Sequence, residues 1–197
     1  MSQRHANESA IEKPAGDHDF TAHGDTLLQL ATQAIDHGLA HGHPPRIDPG
    51  AYPPDLQAER AAFVTLLDAA GGLRGCTGSL EPQRPLAAEA SANAFNAAFR
   101  DPRFPPLTAA ARAEIQCKLS IPTPLEPLPF ADERDLVECL RPGVDGIAIE
   151  SAHGRGTFLP AVWGQFSDAA EFWFALKRKA GLPPDLRAYR YETVTLG

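Results

Sequence analysis

Apolar positions fall into short runs that glycine and proline interrupt. Leu27, Leu28, Ala31, Ala34 and Ile35 recur at i, i+3, i+4 spacing and predict a helix, with Asp25 as its cap and Gly38 as its stop. A proline-rich loop follows over residues 43–54. Residues 61–67 are apolar with a β-branched centre, Ala69-Ala70-Gly71-Gly72 turns the chain, and Leu73 opens a second run, which together read as a β-hairpin. Pro85 suits the first turn of a helix whose inner stripe is Leu86, Ala90, Ala94, Phe95 and Phe99, ending before Pro102. Ile115, Cys117, Leu119 and Ile121 alternate as a half-buried strand does, which makes Cys117 a small core hydrophobe. Residues 132–140 predict a short helix with Leu136, Val137 and Leu140 inward and Cys139 beside that face. Residues 144–150 alternate again, His153-Gly154-Arg155-Gly156 turns, and Thr157-Phe158-Leu159 begins the return strand. Asp168 with Glu171 resembles a capping box, opening a helix that stops at Gly181-Leu182-Pro183. Residues 189–196 alternate as a last strand. Hairpins interleaved with helices, without a repeated βαβ unit, predict an α+β fold with a mostly antiparallel sheet and flanking helices.

Composition narrows this picture. A chain of 197 residues is one domain, or one domain with two lobes, and its 19 prolines imply many rigid connections. A formal charge of −7 argues against a nucleic-acid binder, whose affinity comes from Lys and Arg neutralising phosphates. No run approaches the length needed to span a bilayer, so no membrane role is expected. Residues 1–24 are polar, lack the apolar core of a signal peptide, and are expected to be a disordered tail; residues 25–197 form the folded domain. Cys76, Cys117 and Cys139 make no C-x-x-C pair, so the chain reads as cytoplasmic with reduced thiols.

The candidate chemistry concentrates in Leu73-Arg74-Gly75-Cys76-Thr77-Gly78-Ser79. Glycines beside Cys76 permit positive φ or the close approach of another group. A guanidinium next to a thiol favours the thiolate, the nucleophilic form. Cys76 is thus the candidate nucleophile or thiolate ligand, and Arg74 the candidate clamp for an anionic substrate group. Gly75, Thr77, Gly78, Ser79, Arg103 and Ser120 are the candidate ligand-binding neighbours, with Ser120 donating from a facing strand. The alternative is a tight turn with the thiol as filler. His153 is the sole histidine outside the N-terminal quarter, and an exposed turn residue is its simpler reading. His37, His41 and His43 straddle the expected helix end with no Asp, Glu or Cys at a completing spacing, so they read as solvated loop and no metal site is expected. Lys177-Arg178-Lys179 fits the C-terminal end of a helix dipole. Trp163, Trp173, Phe166, Phe172 and Phe174 read as core.

These residues carry a resemblance to the AMMECR1 family, whose hallmark is Leu-Arg-Gly-Cys-Ile-Gly. Asp101-Pro102-Arg103-Phe104 resembles its Asp-Pro-Arg-Phe loop, and Leu119-Ser120-Ile121 its serine-containing strand. Gly143-Val144-Asp145-Gly146-Ile147 and Gly156-Thr157-Phe158-Leu159-Pro160 resemble its second hairpin, and Lys179-Ala180-Gly181-Leu182-Pro183 its terminal helix. Thr77 departs from the hallmark isoleucine, and Ala161 stands where a polar residue often follows. The resemblance implies a larger and a smaller lobe with a cleft near the hallmark loop. It also implies the company of a Memo-like protein and a radical SAM protein, the AmmeMemoRadiSam system. It names no activity and no cofactor. Two functions are therefore expected side by side: an enzyme component using Cys76, or a non-catalytic binding module of the same system.

Overall fold

Two sheets, each with helices on one face, share the chain. The structure is a computed structural model that describes residues 20–152, 154–181 and 186–197. The first lobe opens with a 3-10 turn, Phe20–His23, and helix α1, Gly24–His41. The short α2, Pro54–Gln57, precedes strands β1, Ala62–Leu67, and β2, Leu73–Ser79. Helix α3, Leu86–Phe99, and strand β3, Gln116–Pro122, complete that stretch. The second lobe holds β4 (Glu126–Leu128), α4 (Glu133–Cys139), β5 (Gly146–Ser151), β6 (Gly154–Phe158), α5 (Ala169–Ala180) and β7 (Arg187–Tyr191). Strand β8, Thr193–Leu196, then returns to the first sheet. The sheet orders are β2-β1-β3-β8 and β4-β7-β5-β6, with every pair antiparallel. Among the described residues no helix is long and apolar enough to cross a membrane.

Alternation decides which face of each strand is buried. Val64 and Leu66 of β1 point to the first core beside Leu119 and Ile121 of β3, under Leu27 and Ile35 of α1 and Leu86, Ala90 and Ala94 of α3. Each fully buried Leu or Ile there contributes about 1.5–3 kcal/mol. Phe63 and Thr65 occupy the other, half-buried face, on which Phe63 lines the space between the sheets. The second core gathers Leu136, Ile147, Ile149, Phe172 and Leu176 around Trp163. The Trp163 ring stacks on Phe172 at 3.7 Å and donates its indole N–H to the Asp145 carbonyl at 2.6 Å. The aromatic cluster is core as expected, apart from Phe174, which is 61% exposed.

Several local expectations change. Helix α1 runs past Gly38 to His41 and stops at Gly42, which is left-handed at φ 74°. Gly38 lies inside the helix, where a β-carbon would sit 2.3 Å from the Phe99 ring of α3, so the glycine serves packing and not termination. Asp25 falls within the first turn, and no side chain caps the helix start. Asp168 does cap α5, accepting the Glu171 N–H at 2.8 Å, but the Glu171 carboxylate reaches back to Ser167 rather than to Asp168. Cys139, expected beside the inward face of its helix, is exposed. The expected last strand is two strands in two sheets, broken at Glu192. Of the anticipated disordered tail, residues 1–19 lie outside the described residues, whereas Phe20 is buried and residues 20–24 are folded. His153 and residues 182–185, including Leu182 and Pro183, also lie outside them.

Candidate active site at the lobe interface

Strand β2 is an edge, and the Asp101–Arg103 loop covers it. Cys76 pairs across from Thr65, so its backbone N–H and C=O point off the free edge. The Asp101 carboxylate accepts that N–H at 2.9 Å, and the Arg103 guanidinium reaches the Cys76 carbonyl at 3.4 Å. Arg103 also binds Asp101 through its backbone N–H, Nε and a terminal nitrogen, at 3.1, 2.9 and 2.7 Å. The two side chains thus stand in for a neighbouring strand, satisfying an edge that would otherwise invite pairing. Asp101 is buried, yet the Arg103 side chain, helped by the Cys76 and Arg103 backbone N–H groups, holds its carboxyl far below the usual carboxylate range. The sequence marks Asp101 only as the first residue of the Asp-Pro-Arg-Phe loop; its acceptor role comes from the fold.

The Cys76 thiol is half-buried and accepts a hydrogen bond from the Thr65 hydroxyl at 3.4 Å. Two cations stand near enough for a thiolate there to raise the pKa of each: Arg103 and Lys179. Lys179 ends α5 with its ammonium donating to the Thr157 carbonyl at 2.9 Å and lying 4.8 Å from the Phe158 ring centre. Although the residue as a whole is exposed, burial of the ammonium and then repulsion from Arg103 lower its pKa, with Cys76 opposing. Among the described residues no carboxylate pairs with it. The helix dipole was expected to account for Lys179 with the rest of its charge run, but it is Lys177 that pairs on the surface, to Glu133. Burial pushes the Cys117 thiol up to about 11.

A cleft of about 640 Å³ opens between the sheets. Phe63, Gly78 and Ser79 line one wall; Ala148, Glu150, Thr157, Lys179 and Tyr189 line the other. Arg155 of β6 crosses to Glu81 beyond β2 and also meets Glu150 at 3.3 Å. The Tyr189 hydroxyl donates to Glu150 at 2.7 Å; that bond, with Arg187 and Arg155, lowers the carboxyl pKa against desolvation, while the same bond and burial raise that of the phenol against the two arginines.

The remaining candidates divide by the face they occupy. Arg74 turns to the loop, donating to the Pro105 carbonyl at 2.7 Å and lying over Phe104 at 5.8 Å, and does not line the cleft. The expected anion clamp is therefore not at Arg74. Thr77 sits opposite buried Val64, on the face away from Cys76. Ser120 is two strands from β2 and shares a hydrogen bond with Thr195 at 3.2 Å. Ser79 lines the cleft, its hydroxyl accepting the Glu81 N–H at 3.0 Å. Neither Gly75 nor Gly78 has positive φ. Both are close approaches: a β-carbon at Gly75 would meet the Ala97 carbonyl oxygen at 2.1 Å, and one at Gly78 the Ala62 carbonyl at 2.4 Å.

Known proteins share the sequence and the fold. A protein of Methanothermobacter thermautotrophicus is 39% identical over 178 residues, covering 86% of this chain and 91% of its own. One from Thermotoga maritima is 38% identical over 170 residues, covering 83% of this chain and 92% of its own. The crystal structure of an uncharacterised protein from Pyrococcus horikoshii superposes with a TM-score of 0.79 at 31% identity, covering 87% of this chain and 89% of that one. The family model described as AMMECR1 matches residues 28–196. The chain belongs to the AMMECR1 family.

Proposed function

We propose that the interlobe cleft is an active site in which Cys76 is the nucleophile and Lys179 with Arg103 receives an anionic substrate group. The observation that carries this reading is the Lys179 ammonium, which lines the cleft on the Thr157 carbonyl without a carboxylate partner among the described residues. Arg103 holds the Cys76 carbonyl on the strand that supplies Gly78 and Ser79 to the cleft; Cys76 and Arg103 lie beside the lining residues, not among them. In the step, the thiol proton leaves to solvent and Sγ donates an electron pair to a carbonyl carbon of the substrate while the C=O π pair moves onto the oxygen, so that one C–S bond forms as one π bond breaks. The two cations then face the negative charge that develops on the adduct. The protein would act within the AmmeMemoRadiSam system beside Memo-like and radical SAM partners.

Paired alkylation tests it. Iodoacetate carries a carboxylate and iodoacetamide does not. The ratio of their rates should be higher at Cys76 than at exposed Cys139, and Lys179→Met should bring the two ratios together. Equal ratios at Cys76 and Cys139 in the unaltered protein would overturn the reading. A second reading, a non-catalytic binding module, is favoured by one observation: among the described residues the group bonded to the Cys76 sulfur is the Thr65 hydroxyl, which is no base. It expects Cys76→Ser to keep full binding of a Memo-like or radical SAM partner in a pull-down and every activity of that assembly.

A further inference from the structure

We propose that the interlobe cleft takes a monocarboxylic acid with an apolar body, its carboxylate on Lys179 and its body between Phe63 and Ala148. The proposal rests on the reading of this cleft as the active site, and names the class of substrate it accepts. Charge selects the head group. The ionic side chains that line the cleft are Glu81, Glu150, Arg155 and Lys179. Arg155 is shared between Glu81 and Glu150, and Glu150 also meets Arg187 at 3.3 Å and the Tyr189 hydroxyl at 2.7 Å. Lys179 has no carboxylate partner among the described residues, and its ammonium holds the Thr157 carbonyl. One uncommitted positive charge suits one negative charge. A phosphate monoester carries about −1.5 to −2 at pH 7, and its surplus would face Glu81 and Glu150.

The rest of the lining selects the body. Thr157, Ala148 and Tyr189 stand in one row across β6, β5 and β7. Ala148 has only a methyl group in the middle of that row, so the floor is shallow beside the residue that anchors Lys179. On the facing wall a β-carbon at Gly78 would come within 2.5 Å of the Phe63 ring. With no side chain on Gly78, that ring can lie across β2 while it lines the cleft. Leu125, 38% exposed, adds a large apolar side chain from the crossing between the lobes. Covering these surfaces is favourable in proportion to the apolar area removed from water. At about 640 Å³ the cleft has room for an acid much larger than acetate.

Amide NMR shifts of the full chain, titrated with a matched set of probes, test the class. Phenylacetate has both features. Phenylacetamide keeps the ring without the charge, acetate keeps the charge without the ring, and phenyl phosphate adds charge. Phenylacetate should saturate, with its largest shifts at Gly78, Thr157 and Lys179, and bind about tenfold or more tightly than each of the others. Lys179→Met should remove its advantage over phenylacetamide. Leu125→Ser, at an exposed position, should weaken phenylacetate severalfold and leave acetate as it was. Acetate or phenyl phosphate matching phenylacetate, binding that Lys179→Met retains, shifts centred away from the cleft, or no saturation would each overturn the proposal. None of these probes alkylates a thiol, so the proposal can fail while the iodoacetate ratio at Cys76 still supports the active site, and the reverse.

Discussion

At the residue scale, Asp101 holds more of the candidate site together than the cysteine it supports. It accepts from the Cys76 N–H and from three Arg103 donors while nearly excluded from water. Hydrogen bonds to a buried charge are worth about 1.5–3 kcal/mol, so Asp101→Asn should destabilise the protein by that order in urea unfolding at neutral pH. The pH dependence follows from the direction of its shift. A carboxyl held lower in the folded state adds stability above the unfolded value, near 3.9, and loses it as pH falls through the folded value. The gap between Asp101→Asn and the unaltered protein should therefore be full above about pH 5 and shrink in acid; a gap that stays constant down to pH 2 would contradict this account. Cys76, its glycines and the Asp-Pro-Arg-Phe loop were all visible as a motif in the chain. What the side chains do was not, because Arg74 and Arg103 are alike as residue types and only the strand edge assigns one to a carbonyl and the other to Asp101.

At the element scale, two glycines four residues apart in and after α1 fail differently when replaced. Gly42 is left-handed, and alanine there costs about 1 kcal/mol in a conformation it resists. Gly38 has ordinary helical backbone, so alanine gains up to about 1 kcal/mol of helix propensity. Its β-carbon, however, must displace the Phe95 and Phe99 rings, at 2.8 and 2.3 Å. Overpacking typically costs about 1–3 kcal/mol, so Gly38→Ala should lower Tm despite the better helix former. Gly38→Ala combined with Phe99→Leu should recover part of the loss, which a purely conformational defect would not allow. Helical periodicity showed α1 and α3 in the sequence. It could not choose between the two glycines as the stop, since the choice depends on which residues of α3 lie opposite. The last strand misled for a related reason: the alternation of residues 189–196 is continuous, but the two halves bury against different sheets.

At the scale of the molecule, the chain crosses between lobes at residues 122–126, after β3, and at Glu192, between β7 and β8. The two crossings are tied together. The Thr123 N–H donates to the Glu192 carbonyl and the Glu192 N–H to the Thr123 hydroxyl, both at 2.9 Å. Thr123→Val keeps the shape and removes one acceptor, at a cost of about 0.5–1.5 kcal/mol. Amide exchange should speed at Glu192 and its neighbours while the centres of β1 and β5 keep their protection; uniform acceleration throughout would show that the tie is not local. Antiparallel α+β architecture was legible from hairpins and helices. Length allowed one domain with or without two lobes, and only the family resemblance chose between them, because apolar patterning marks what is buried and not against which sheet. The interleaved path has a consequence for synthesis. Strand β8 follows the whole second lobe in the chain, yet it pairs with β3 of the first. As the polypeptide leaves the ribosome, the first sheet must wait with β3 unpaired along that edge until the other lobe has been made, and a nascent chain stalled between Tyr191 and Thr193 would present that open edge to its neighbours.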